Sequence, residues 1–318
     1  MKKITVWQAG AGLVLAAALA AVSCEETPTP EPEPQPPQFV GKWGTEGAGN
    51  GQFDNPYAVA VAPDGTVYVT DGGNCRVQYF NSSGSFLGKW GSPGRGNGEF
   101  GDPTGIAVAP NGNVYVADAA CNRVQYFTKS GAYLGKWGKF GEKIGEEFSA
   151  PTGVAVSPDG DVFVADTENH RIQYFSLSGV FRGGRGIPVP GEDDGLFNSP
   201  RDVAIAESGY VYVADSYNHR VQYFDSTMRF FEGKWGSEGE GNRQFKYPGS
   251  VDISPDGLVY VGESYRVQYF TGGGAFRGKW GSRGSGDGEF AGARGIAVAE
   301  DGTIYVVDAG NDRIQYFR

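Results

Sequence analysis

An acidic residue and an arginine recur as a pair six times along this chain. The pairs are Asp71 and Arg76, Asp118 and Arg123, Asp166 and Arg171, Asp215 and Arg220, Glu263 and Arg266, and Asp308 and Arg313. A carboxylate beside a guanidinium makes a strong, charge-assisted hydrogen bond. A catalytic constellation would not be stamped into every copy of a repeat, so these pairs are expected to fix a loop. His170 and His219 directly precede two of the arginines, and Cys75 and Asp312 stand at that place in other copies. No nucleophile motif and no unique Ser/His/Asp grouping is present. Glu192-Asp193-Asp194 offers three consecutive acids, without the alternation that a calcium loop needs, and reads as a solvated loop. The G-x-G spacing in Gly94-Arg95-Gly96 joins two strands and opens no helix, so it is not read as a phosphate cradle.

The elements that position these residues follow from the repeat. Successive arginines of the R-[VI]-Q-Y-F segment are 47, 48, 49, 46 and 47 residues apart, the size of one propeller blade. Each unit reads as four strands. The first is a continuously apolar strand after a proline, as in Thr104–Ala109, which suits an innermost strand buried on both faces. Then come a Pro-Asp-Gly or Pro-Asn-Gly turn, a β-branched strand such as Val114–Asp118, the R-V-Q-Y-F strand, and an F-L-G-K-W-G strand. The fourth copy of the last segment, Gly183-Gly184-Arg185-Gly186, has lost its tryptophan.

Nothing like F-L-G-K-W-G follows Arg313–Arg318, but an unpaired copy, Phe39–Gly44, opens the repeat region. The expected fold is therefore an all-β, six-bladed propeller of four-stranded antiparallel blades. Its ring is closed by an N-terminal outer strand joining the C-terminal blade. The recurring Phe53, Phe100, Phe148, Phe197, Phe245 and Phe290, together with the tryptophans, are expected to fill the gaps between blades.

Three segments are expected: a signal peptide over 1–23, a Pro/Glu-rich tether over 24–38 and the propeller over 39–318. Lys2-Lys3, the apolar run over 10–22 and Ala21-Val22-Ser23-Cys24 resemble a bacterial lipoprotein signal, although Ala21 replaces the usual leucine. Cys24 is the expected lipid attachment site, with an uncleaved membrane anchor as the alternative. Either way the ring lies outside the cytoplasm, lipid-anchored to the cell envelope in the first case, on the outer membrane or cell surface. The chain has 27 basic and 37 acidic residues; without Lys2, Lys3, Glu25, Glu26, Glu31 and Glu33 the ring has 25 against 33. That acidity weighs against nucleic acid as a partner. Cys75 and Cys121 fall near the same loop of adjacent blades and are expected as thiols, with a disulfide as the alternative.

Asp166-Thr167-Glu168-Asn169-His170-Arg171 and Asp215-Ser216-Tyr217-Asn218-His219-Arg220, each followed by [IV]-Q-Y-F, resemble the NHL-repeat family of six-bladed propellers. The resemblance covers Phe39–Arg318. Cys75 and Asp312 depart from the histidine, Ala120-Cys121-Asn122-Arg123 reads as a shifted polar pair, and Glu263-Ser264-Tyr265-Arg266 lacks two residues. The resemblance also brings in a peptide-amidating lyase that holds zinc through several histidines; His170 and His219 are too few for that site. No metal or other cofactor is expected.

Function is sought where the blades differ. The residues after each proline should ring one mouth of the central channel, and Tyr57, Arg201, Asp202 and Arg294 are the distinctive ones. The expected function is a non-enzymatic binding scaffold that presents this face to an envelope protein, a peptide or a glycan. The alternative is a metal-dependent lyase or hydrolase with its ion near Arg201 and Asp202.

Overall fold

The computed structural model describes residues 35–318; the signal peptide, Cys24 and most of the tether lie outside the described residues. Among the described residues, six four-stranded antiparallel sheets follow one another around a ring. Blade 1 is built from Pro56–Val61, Val67–Asp71, Arg76–Phe80 and Phe86–Trp90. The innermost strands of blades 2 to 6 are Pro103–Val108, Pro151–Val156, Pro200–Ile205, Ser250–Ile253 and Ala293–Val298. The sixth blade takes its outer strand, Phe39–Trp43, from the start of the ring, against Arg313–Phe317. Gln38 and Arg318 exchange backbone hydrogen bonds of 2.8 and 2.9 Å at the end of that pairing.

Local chemistry explains the strand ends. At the inner hairpin of blade 1, Gly65 at φ +81° closes the turn while the Asp64 carboxylate accepts the Thr66 N–H at 3.0 Å. Each inner strand except that of blade 5 begins on its proline or, in blade 6, on Ala293, and its pairing with the second strand then shifts register. A proline has no N–H to lose at such an irregularity. Pro56 pairs with Asp71, so the start of each inner strand and the corner between second and third strands lie on one face of the ring. We call this the mouth face.

The core lies between blades. Phe53, Phe100, Phe148, Phe197, Phe245 and Phe290 have no exposed surface. Phe53 joins Val59, Val67 and Val69 of blade 1 to Ala297, Tyr305 and Ile314 of blade 6. Each tryptophan among the described residues reaches the next blade: Trp90 meets Phe127 at 5.6 Å and Trp43 meets Phe80 at 5.6 Å. Glycines at the outer hairpins make room for the indoles, since a Cβ on Gly84 would lie 2.6 Å from Trp43. The seam between blades 3 and 4 solves the same problem differently. Arg185 takes the tryptophan position and places its guanidinium 5.7 Å from the Phe224 ring. Met228 takes the facing glycine position at φ +55° and is fully buried. Bulk lost on one blade is restored by its neighbour.

The corner pairs form one node per blade. In blade 1 the Arg76 Nε donates to Asp71 Oδ2 at 2.7 Å, and its terminal nitrogens donate to the carbonyls of Ala48, Gly49 and Gln52. Gln78 donates to Gln52 O and to Asp71 Oδ2, and its own oxygen accepts the Gly51 N–H. Asp71 Oδ1 accepts the Asp54 N–H. The glycine-rich segment between blades is thus wrapped around a guanidinium. Blade 5 keeps the node across a corner two residues shorter because Glu263 is one methylene longer than aspartate; Arg266 Nε lies 2.7 Å from it.

Two tests follow. Removing residues 39–44 takes away the outer strand of blade 6 and Trp43; the chain is expected to lose its cooperative monomeric melt or to oligomerise, measured by calorimetry and light scattering. Asp166→Ala leaves the buried Arg171 charge unpaired and is expected to cost about 3–5 kcal/mol in urea unfolding. Asp287→Ala, at the exposed Lys42 pair, should cost about 1 kcal/mol or less. Equal losses would mean that the node does not hold the corner.

Candidate functional site

The inner strands surround a channel cavity of about 220 Å³, and Tyr57, Arg201, Asp202 and Arg294 all line it. Its walls are otherwise mainly Val, Ile, Ala and backbone, with Asp252 as a further acid. The four residues do different things. Arg294 places its guanidinium 5.1 Å from the Tyr57 ring and donates from Nη1 to Asn55 Oδ1 at 2.7 Å. Arg201 leans on Tyr217 at 5.9 Å. Among the described residues neither arginine forms an ion pair. Burial raises the Tyr57 phenol above its ordinary value, and the nearby Arg201 and Arg294 charges oppose that rise.

Asp202 turns inward. Its carboxylate accepts the Val203 N–H and, across the seam, the Val251 N–H of blade 5, both at 3.0 Å. Asp252 repeats the device one blade on, accepting the Val298 N–H at 2.7 Å. These acids satisfy inner-edge N–H groups that face the channel. Burial in the channel is the main cause that raises Asp202 to about 7 and Asp252 to about 6; the N–H donors oppose it. Asp252 was not anticipated, although the signal was available: it stands where the other inner strands carry alanine.

The histidines have a structural task. His170 and His219 sit at φ +51° and +52°, the same left-handed corner position as Cys75, Asn122 and Asp312. His170 Nδ1 accepts the Ser199 N–H of the next blade at 3.0 Å, and His219 Nδ1 accepts the Tyr247 N–H. Asn122 and Asp312 accept the equivalent N–H groups of Ala150 and Asn55. In these four blades any short acceptor serves; Cys75, at the same position in blade 1, instead donates from Sγ to the Gly101 carbonyl. Burial lowers the His170 pKa and keeps it a neutral acceptor. The polar pair of blade 2 is not shifted: Asn122 holds the histidine position, and Cys121, near Gly94 O, holds the asparagine position. Asn74 reaches Gly47 O from that same position in blade 1. Cys75 and Cys121 are free thiols. Among the described residues no three His, Cys, Asp or Glu side chains converge as a metal cage.

Three aromatic residues that sequence reasoning did not single out complete the mouth face. Tyr217, Tyr247 and Tyr265 are exposed, and Tyr217 and Tyr247 meet edge to face at 5.2 Å. Tyr217 and Tyr265 occupy corners, and Tyr247 precedes Pro248 where other blades carry Asn55, Ala150 and Ser199.

A closed six-bladed ring with this corner node defines the class of protein. The NHL repeat matches residues 53–80, 100–127, 148–175, 197–224 and 290–317, and the chain carries NHL repeats. The matched segments leave out blade 5, whose corner is shortened. No curated protein matches the chain significantly. Among solved structures, a streptogramin B lyase is similar with a TM-score of 0.59 at 12% identity, over 89% of this chain and 98% of that one. A gluconolactonase from Xanthomonas campestris gives 0.62 at 13% identity, over 85% and 88%. Virginiamycin B lyase from Staphylococcus aureus gives 0.56 at 16%, over 83% and 94%. At these identities the likeness is one of fold.

The channel acids yield a signed pH dependence. The folded chain retains their protons at pH values where the unfolded chain has released them, so their contribution falls as pH rises from about 4 to about 7. Replacing both Asp202 and Asp252 by Asn keeps an N–H acceptor and removes the titration. The double variant should therefore gain stability relative to the parent as pH rises, read as denaturant midpoints across that range. Parallel curves would refute the assignment.

Proposed function

We propose that this chain is an exported, non-enzymatic binding module, held on the bacterial envelope through a lipid on Cys24, whose mouth face receives an envelope protein, a peptide or a glycan. The observation that carries the reading is the convergence of two arginines without ion partners and three exposed tyrosines on one face of an otherwise acidic chain. Exposed aromatic side chains grouped with half-buried arginines are what binding surfaces enrich. The titratable groups that a catalyst would draw on are engaged elsewhere: the acids of the corner nodes on arginine, both histidines on backbone N–H groups, and Asp202 and Asp252 on neighbouring strands. Several similar folds bear the names of lyases and a gluconolactonase, and the reading as a metal-dependent lyase or hydrolase is the competing outcome of the test.

A photo-crosslinking residue at Arg201 in intact cells is expected to give a discrete adduct that unlabelled protein competes away. The same residue at Ser83, on the opposite face, should give none. Equal labelling at both positions would sink the reading. A stoichiometric, tightly held metal ion in the purified protein, lost on Asp202→Asn, would replace it with the enzyme.

A further inference from the structure

Blade 5 lacks bulk at two places that meet on the mouth face. Gly249 stands where the other blades carry Tyr57, Thr104, Thr152, Arg201 and Arg294. A Cβ on Gly249 would have only the Arg294 carbonyl nearby, at 3.9 Å, so the space above it is open. The corner loop is shortened as well: Ser264-Tyr265 replaces the single 3-10 turn found in blades 2, 3, 4 and 6. Together these leave an off-axis basin of about 330 Å³ between blades 4 and 6. That is the lower end of the range for small-ligand sites, about 300–1,000 Å³.

The basin has a distinct chemistry. Arg201 lines one side and Arg294 the other, with Tyr217, Tyr247 and Tyr265 around them; no Leu, Ile, Val, Met or Phe lines it. Each guanidinium is steadied by an aromatic ring, Tyr217 for Arg201 and Tyr57 for Arg294, and Arg294 also by Asn55. Asp102 lies within electrostatic reach of Arg294, but no acid lines the basin, and two like charges at its walls favour an anion between them. The flat, exposed tyrosine faces suit the C–H face of a sugar ring, and their hydroxyls suit its hydroxyls. A peptide is the poorer fit, because the basin has no aliphatic pocket and no strand edge to extend.

Resting on the receptor reading above, the geometry points to an acidic saccharide as the ligand: a uronate unit with its carboxylate between Arg201 and Arg294 and its ring against the tyrosines. Blades 4 and 6 supply the charges, and blade 5 supplies the room.

Calorimetric titration of the full chain in detergent tests this with three probes: trigalacturonate, the uncharged galactose trimer and a glutamate tripeptide. Trigalacturonate is expected to bind, more weakly as salt rises, and the other two at least about tenfold less well. Arg201→Gln and Arg294→Gln should each weaken it about tenfold. Gly249→Tyr, which fills open space, should abolish it without lowering the melting temperature. Binding that survives Gly249→Tyr, equal binding of the tripeptide, or no binding by folded protein overturns the inference. If no acidic sugar binds yet a competable adduct still forms at Arg201, the receptor reading stands alone; if neither is seen, both fall.

Discussion

A buried carboxylate that shares one guanidinium with the carbonyls of a glycine-rich segment is the interaction on which the ring depends. Burial penalises the charged acid: Asp71, Asp166 and Asp215 are all raised by it, and their N–H and side-chain donors pull them back. Such a pair adds little net stability by itself. Its effect is geometric, because the arginine has five N–H groups in a rigid fork and the surrounding carbonyls can satisfy them in only one arrangement. The segment between blades therefore takes a fixed path, places its phenylalanine in the seam and delivers the next inner strand to the mouth face.

Much of this was legible in the residues. The strand order, the count of six and the closing strand follow from the repeat phase, and the seam role of Phe53 and its five equivalents follows from their regular recurrence. What was not legible belongs to positions where several residue types do the same work. In blades 2, 3, 4 and 6 the corner residue before the arginine sits in the left-handed region and offers a short acceptor. His170, Asn122 and Asp312 look unrelated as letters yet make the same bond. The exchange between Arg185 and Met228 was half visible: the lost tryptophan could be read, but its compensation 43 positions on needed the fold to bring it near.

The mouth residues divide in a similar way. Tyr57, Arg201 and Arg294 stood out because they break a column of small residues. Asp202 breaks the next column, otherwise Ala58, Gly105, Gly153, Ser250 and Gly295, but its carboxylate is turned into the seam with blade 5 rather than toward solvent. The tyrosines lie in loops whose spatial meeting depends on how blades 4, 5 and 6 sit around the axis. Side-chain type was readable from the sequence, whereas convergence was a property of the ring.

The way the chain enters the ring has a directional consequence. Phe39 pairs with Phe317, which in turn pairs with Ile304 at the hairpin end of its blade, remote from the Asp308 corner. The polypeptide therefore joins the disc at the outer rim of its underside. The point where the chain enters the ring, at Gln38, and the tyrosine-lined basin thus lie on opposite faces.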